Sequence, residues 1–102
     1  MTRIARMWHG RTLTVDADRY LELMRPRALA DYTSIPGNLG AWVLRREEGD
    51  VTHVSTVSVW ESWDAIRQFA GPQPEQAKYY EFDREFLLEL EPTVQHWDLL
   101  GE

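Results

Sequence analysis

Residues 39–60 read LGAWVLRR (39–46), EEGD (47–50) and VTHVSTVSVW (51–60). Both flanks are rich in β-branched and aromatic residues, and a polar run containing Gly49 separates them. This is the pattern of two strands joined by a tight antiparallel turn. In the second flank Val51, Val54, Val57 and Val59 are interleaved with Thr and Ser, which suits a strand covered on both faces.

Upstream, residues 3–13 (RIARMWHGRTL) alternate loosely around Ile4, Met7 and Trp8 and read as a first strand. Ala17, Tyr20, Leu21, Met24, Ala28 and Leu29 then recur at helical spacing, with Thr14 or Asp16 as candidate caps. Pro26 falls inside that pattern and is expected to kink the helix or split it near Arg25, since it lacks an N–H and crowds the preceding turn. Ile35-Pro36-Gly37-Asn38 is a stop. Downstream, Ser62 or Asp64 caps a short helix over 63–70, with Ile66, Phe69 and Ala70 inward, and Gly71-Pro72 ends it. Residues 73–91 read as an acidic, broken helical stretch, its run Glu81–Glu91 a solvated face. Residues 94–100 (VQHWDLL) close the chain as a last strand.

The order strand–helix–strand–strand–helix–strand, with right-handed crossovers, gives an α+β ferredoxin-like βαββαβ antiparallel sheet, strand order 4-1-3-2, helices on one face. All of 1–102 is one domain on this reading. The other sheet face would be left bare. A Val- and Trp-bearing face of that size marks an interface, and a two-fold partner applying its own bare face is the economical cover. Trp42, on the edge strand, fits such a seam. A homodimer, a dimeric α+β barrel, is therefore expected.

Composition narrows the function. Seventeen acids against eleven bases give a net charge of −6, and ten of the eleven bases are Arg, Lys78 being the lone Lys. A phosphate backbone would repel such a chain, so no nucleic acid partner is expected. Residues 1–27 carry six Arg against three acids and residues 75–91 six acids against two bases, an asymmetry that reads as pairing within the chain or across a dimer. With no Cys, disulfides, thiolate catalysis and Cys-ligated metal sites are excluded. No apolar run approaches the ~20 residues of a membrane span, and Met1-Thr2-Arg3-Ile4 lacks the form of a signal peptide. A soluble cytoplasmic domain with no membrane partner is the expectation.

Several stretches together resemble the antibiotic biosynthesis monooxygenase (ABM) family of dimeric α+β barrels. They are the opening Ala5-Arg6-Met7-Trp8-His9-Gly10-Arg11-Thr12, the turn Ile35-Pro36-Gly37-Asn38-Leu39-Gly40 and the strand end Val59-Trp60-Glu61-Ser62. The helix Ala65-Ile66-Arg67-Gln68-Phe69-Ala70-Gly71 and the closing Val94-Gln95-His96-Trp97 complete the set. The resemblance covers nearly the whole chain. It implies a fold shared by cofactor-independent, quinone-forming oxygenases and by haem-degrading enzymes. The haem-degrading branch uses an Asn on the first strand, a Trp in the second helix and a His about ten residues on. Here Met7 or Trp8, Phe69 and Tyr79 stand at those places, which argues against haem degradation by that route.

Among candidate site residues, His96 reads either as a general base or as a half-buried ring donating to a backbone carbonyl. Arg6 and Trp8 share one strand face; Arg6 reads as the partner of a phenolate or carboxylate, or as half of an ion pair across the sheet. Trp8, Trp60, Phe69, Tyr79 and Tyr80 are the candidate aromatic walls, with the two tyrosines in a lid. Trp60 and Trp97 read equally as packing residues. Taking strands one and three as parallel neighbours places His9 and His53 about 15 Å apart, too far for one ion, and His53 reads as a solvated strand-end residue. With no His-x-x-x-His pair, no metal site is expected. No G-x-S-x-G turn or Gly-rich phosphate loop is present, so no cofactor is expected.

Two classes of function follow. One is a cofactor-independent monooxygenase of a small aromatic, polyphenolic (polyketide-like) substrate, or a cyclase or isomerase built on the same residues. The other is a dimer that binds a small aromatic molecule without chemistry, marked by a pocket with no titratable group in reach.

Overall fold

The computed structural model describes residues 2–101. Its elements are β1 (Arg3–Leu13), a 3-10 turn (Thr14–Asp16), α1 (Ala17–Thr33), β2 (Asn38–Glu48), β3 (Val51–Trp60), α2 (Trp63–Ala70), a single-turn α3 (Asp83–Phe86) and β4 (Gln95–Leu99). One four-stranded sheet runs β2-β3-β1-β4, the expected 4-1-3-2 order, and every adjacent pair is antiparallel. The β1–β3 pair corrects the parallel expectation. A right-handed crossover makes β1 and β2 parallel, and the hairpin then reverses the chain into β3.

Side-chain alternation splits the sheet into two faces. Toward the helices, β1 buries Ile4, Arg6, Trp8, Gly10 and Thr12, and β3 buries Thr52, Val54, Thr56, Ser58 and Trp60. The polar members of β3 are partnered: Thr56 Oγ1 shares a hydrogen bond with Tyr32 Oη (2.8 Å), Ser58 Oγ accepts from Trp60 Nε1 (2.8 Å), and Thr52 Oγ1 shares one with Thr14 Oγ1 (2.9 Å). Ala5, Met7, His9 and Arg11 of β1 point the other way, opposite Val59, Val57, Ser55 and His53 of β3. Trp42, Leu44, Trp97 and Leu99, on the edge strands, share that open face by register and are exposed, Trp42 by 53% and Trp97 by 55%.

Helix α1 lies across the covered face on Ala17, Tyr20, Met24, Ala28 and Tyr32. It runs unbroken through Pro26, so the expected split does not occur. Pro26 is on the exposed side, where the carbonyl freed by its missing N–H can bond water instead. Neither proposed cap acts as one: Asp16 makes no side-chain cap bond, and Thr14 Oγ1 donates to Gly49 O at 2.9 Å, drawing the chain onto the β2–β3 turn. Ser62 does cap α2, accepting from Ala65 N at 3.1 Å.

Two further details place the site. Gly37 has φ +95°, and a Cβ there would lie 2.7 Å from that of Ala65. Its carbonyl accepts from Glu61 N (2.9 Å), so this turn holds the start of β2 against α2. Residues 73–82, expected to be broken helix, are irregular. They are fastened beside β4 by Val94 N→Glu75 O and Ala77 N→Pro92 O, both 2.9 Å.

Candidate active site

The β1–β4 register sets Arg6 directly opposite His96, both toward the helices. Arg6 is 1% exposed. Its Nη2 donates to Gln76 O at 3.1 Å, its Nε has no partner among the described residues, and its Cζ lies 5.3 Å from the centre of the Phe69 ring. Burial lowers its pKa, opposed by the neighbouring Tyr32 and Tyr80 hydroxyls. His96 packs against Trp63 with ring centres 4.8 Å apart, and its buried Nε2 has no partner among the described residues. Desolvation first and the Arg6 charge second hold its imidazole below the ordinary value, against a smaller opposite pull from Glu75. The shift favours the neutral ring, the form a general base requires.

A cavity between sheet and α1 is lined by Trp8, Tyr20, Met24, Ala28, Tyr32, Thr56, Phe69, Lys78, Tyr80 and Asp83; Arg6 and His96 are not in its lining. Of the expected aromatic walls it brings together Trp8, Phe69 and Tyr80. Trp60 lies outside the lining, fully buried in the core. Tyr79 also lies outside it, packed edge-on to Trp8 (6.2 Å, 72°) with its hydroxyl donating to Glu91 O. The cavity is only about 20 Å³, room for roughly one water; the expected hollow under the helices is filled by the chain's own side chains.

Sequence reasoning missed the polar rim of that cavity. Asp83, assigned to a solvated helix face, is 2% exposed. It accepts from Tyr20 Oη (2.7 Å) and from Tyr80 N, and burial pushes its carboxyl up. Burial raises the Tyr20, Tyr32 and Tyr80 hydroxyls as well. Tyr80 Oη donates to Asp31 Oδ2 (2.6 Å), which also faces Lys78 Nζ at 3.7 Å. One acid among six in residues 75–91 carries no mark of burial in its local pattern. The only available hint was its place between Phe82 and Phe86.

The open face holds a second constellation. His9 Nδ1 donates to Glu91 Oε2 (2.6 Å), His9 Nε2 and His53 Nδ1 share a hydrogen bond of 2.9 Å, and His53 Nε2 faces Glu48 Oε1 at 3.4 Å. The expected 15 Å separation is overturned by the antiparallel register, and His53 is a half-buried, bonded residue, not a solvated one. Among the described residues no group of three or more His, Asp or Glu side chains is placed to hold a metal ion, and no helix is long and apolar enough to cross a membrane.

The one-sheet α+β architecture, with its helices on one face, is shared by solved structures. The cofactor-independent oxygenase SnoaB of Streptomyces nogalater matches over 100% of this chain and 95% of its own, at 18% identity and TM-score 0.59. A Nitrosomonas europaea protein assigned as an antibiotic biosynthesis monooxygenase matches over 97% and 90%, at 11% identity and TM-score 0.68. The haem degrader MhuD of Mycobacterium tuberculosis matches over 97% of each chain, at 16% identity and TM-score 0.61. No protein-family model and no curated protein matches the sequence. The chain has the fold of the antibiotic biosynthesis monooxygenases, as its residues suggested.

Proposed function

We propose that this protein is a homodimeric, cofactor-independent monooxygenase, an oxidoreductase acting on a small aromatic, polyphenolic, polyketide-like substrate. The Arg6–His96 pair carries the reading. A neutral imidazole with a free nitrogen takes the proton of a substrate hydroxyl, and the adjacent guanidinium holds the anion formed. The electron-rich anion passes one electron to O₂. The two radicals join through a new C–O bond, and the peroxide eliminates water as His96 returns its proton. One oxygen atom stays as a quinone carbonyl and the other leaves in that water, so the four-electron reduction of O₂ needs no external reductant. Trp8, Phe69 and Tyr80 wall the site, with Trp60 and Tyr79 buttressing them, and exclude bulk water from the radicals.

Dimerisation belongs to the same proposal. Trp42, Leu44, Trp97 and Leu99 form an exposed apolar band on one sheet face, and a second copy applying the same band by a two-fold axis would cover both. Light scattering at micromolar concentration should give twice the chain mass; a monomer would rule the arrangement out.

Oxygen uptake with a dihydroxynaphthalene-type substrate tests the chemistry. His96→Ala should lower it roughly tenfold or more while circular dichroism stays native; unchanged uptake would remove His96 as the base. That neither Arg6 nor His96 lines the inner cavity favours a second reading, a dimer that binds an aromatic molecule without turning it over. That protein would bind the substrate yet consume no oxygen.

A further inference from the structure

Arg11, Arg27, Arg45, Arg46 and Arg67, all at or near the surface, each hold a carboxylate at 2.6–3.2 Å. Arg6, the buried one, has none within ion-pairing distance among the described residues, although the chain carries seventeen acids. A guanidinium removed from water without a counter-ion is costly, and the sequence had ample means to supply one. The edge left short is specific. Nε is unpartnered and Nη2 meets only the neutral Gln76 carbonyl; these two N–H groups form the side of the guanidinium that takes a carboxylate with two parallel bonds. Across the strand pair stands His96, its buried Nε2 likewise without a partner.

From this juxtaposition we infer that the site selects an aromatic acid whose hydroxyl lies beside its carboxylate, the carboxylate on Arg6 and the hydroxyl on His96. The inference rests on the aromatic-substrate reading above and narrows it. Cross-strand neighbours have Cβ atoms only ~5 Å apart, a spacing that suits two groups on adjacent ring carbons. The carboxylate replaces the Gln76 carbonyl on Nη2 and fills Nε, so residues 73–77 must lift from Arg6 for the ligand to enter. Lys78, next along the chain, has its Nζ 4.5 Å from the centre of the Phe69 ring and 3.7 Å from Asp31 Oδ2.

Calorimetry with salicylate, benzoate, phenol and methyl salicylate tests this on the intact protein. Salicylate should bind about tenfold or more tighter than phenol and its own methyl ester, the worth of one charge-assisted pair. Arg6→Gln should erase that preference. His96→Gln should leave benzoate affinity alone and remove the advantage of salicylate over benzoate. Equal affinity for acid and ester in the native protein overturns the inference, and needs no variant to fold. Oxygen uptake separates the two readings. A protein that prefers salicylate and consumes no oxygen keeps the ligand class and loses the oxygenase. One that oxygenates a neutral hydroxyarene and ignores the carboxylate keeps the oxygenase and loses the ligand class.

Discussion

The two faces of the sheet handle their polar groups in opposite ways. On the open face, His9 and His53 form a chain with Glu91 and Glu48 in which each ring nitrogen meets a partner. On the covered face, where desolvation is greatest, Arg6 Nε and His96 Nε2 are left unmet. Folding alone favours the reverse, because an unsatisfied polar group is most costly where water cannot reach it. Trp8 Nε1 and Thr12 Oγ1, on the same face, are also unmet among the described residues, so this side of the sheet holds bonding capacity that a bound molecule could use. On the proposal above, the covered face is the one that binds the small molecule and the open face is the one that takes a second copy.

Mutations that should act unequally on the two faces sharpen this contrast. The largest effect is expected at tryptophan. Trp60→Ala, at 0% exposure, should lower stability by about 3–5 kcal/mol in chemical denaturation. Trp42→Ala, at 53% exposure, should change the stability of the single chain by less than about 1 kcal/mol and instead weaken self-association. Similar losses at both positions, independent of protein concentration, would erase the distinction between core and interface.

A smaller effect is expected from a single methyl group. A Cβ on Gly10 would come within 2.9 Å of the Trp8 ring and 3.1 Å of Leu87, so Gly10→Ala should cost about 1–3 kcal/mol by overpacking and disturb the wall of the inner cavity. Ser55→Ala, opposite His9 on the open face, should stay within about 0.5 kcal/mol. A neutral Gly10→Ala, measured by thermal unfolding, would mean that the covered side is looser than its packing indicates.

The mildest effect is on pH dependence. Burial and Arg6 hold His96 below its ordinary value of 6.5, so the unfolded chain takes up this proton at a higher pH than the folded one. The unfolded state then binds more protons between the two values, and stability rises with pH across that window. What neutral His96 contributes is complete above about pH 6.5 and lost as pH falls through the folded-state value. Native protein minus His96→Gln, compared between pH 7 and 5, should show a positive stability difference that shrinks on acidification. A difference that grows would mean the imidazole is charged in the fold.

Much of the fold could be read directly. The hairpin at 39–60, helix α2 with its Ser62 cap and the alternating first strand are local patterns, each decided by residues within a few positions of one another. So was the order of elements, from which sheet order follows through crossover handedness. Arg6 and His96 could be picked out as residue types able to do the chemistry. Their facing across β1 and β4 could not, since Arg6 and His96 are ninety positions apart and their meeting depends on register. Asp83 was invisible for the same reason: its burial comes from Tyr20, sixty-three residues away. The Glu91–His9–His53–Glu48 chain was lost to a wrong strand direction, and a one-step error of that kind moves every cross-strand neighbour.

What the sequence determined by itself was most of the elements, their order and one exclusion of composition, thiol chemistry, since the chain has no Cys. Tertiary structure alone decided which polar side chains are dry, which find partners, and that the space beneath the helices is nearly full. The physical reason is one of range. Propensity, capping and alternation act over a turn of helix or a pair of strand residues, whereas burial and electrostatic pairing are properties of groups brought together from distant parts of the chain.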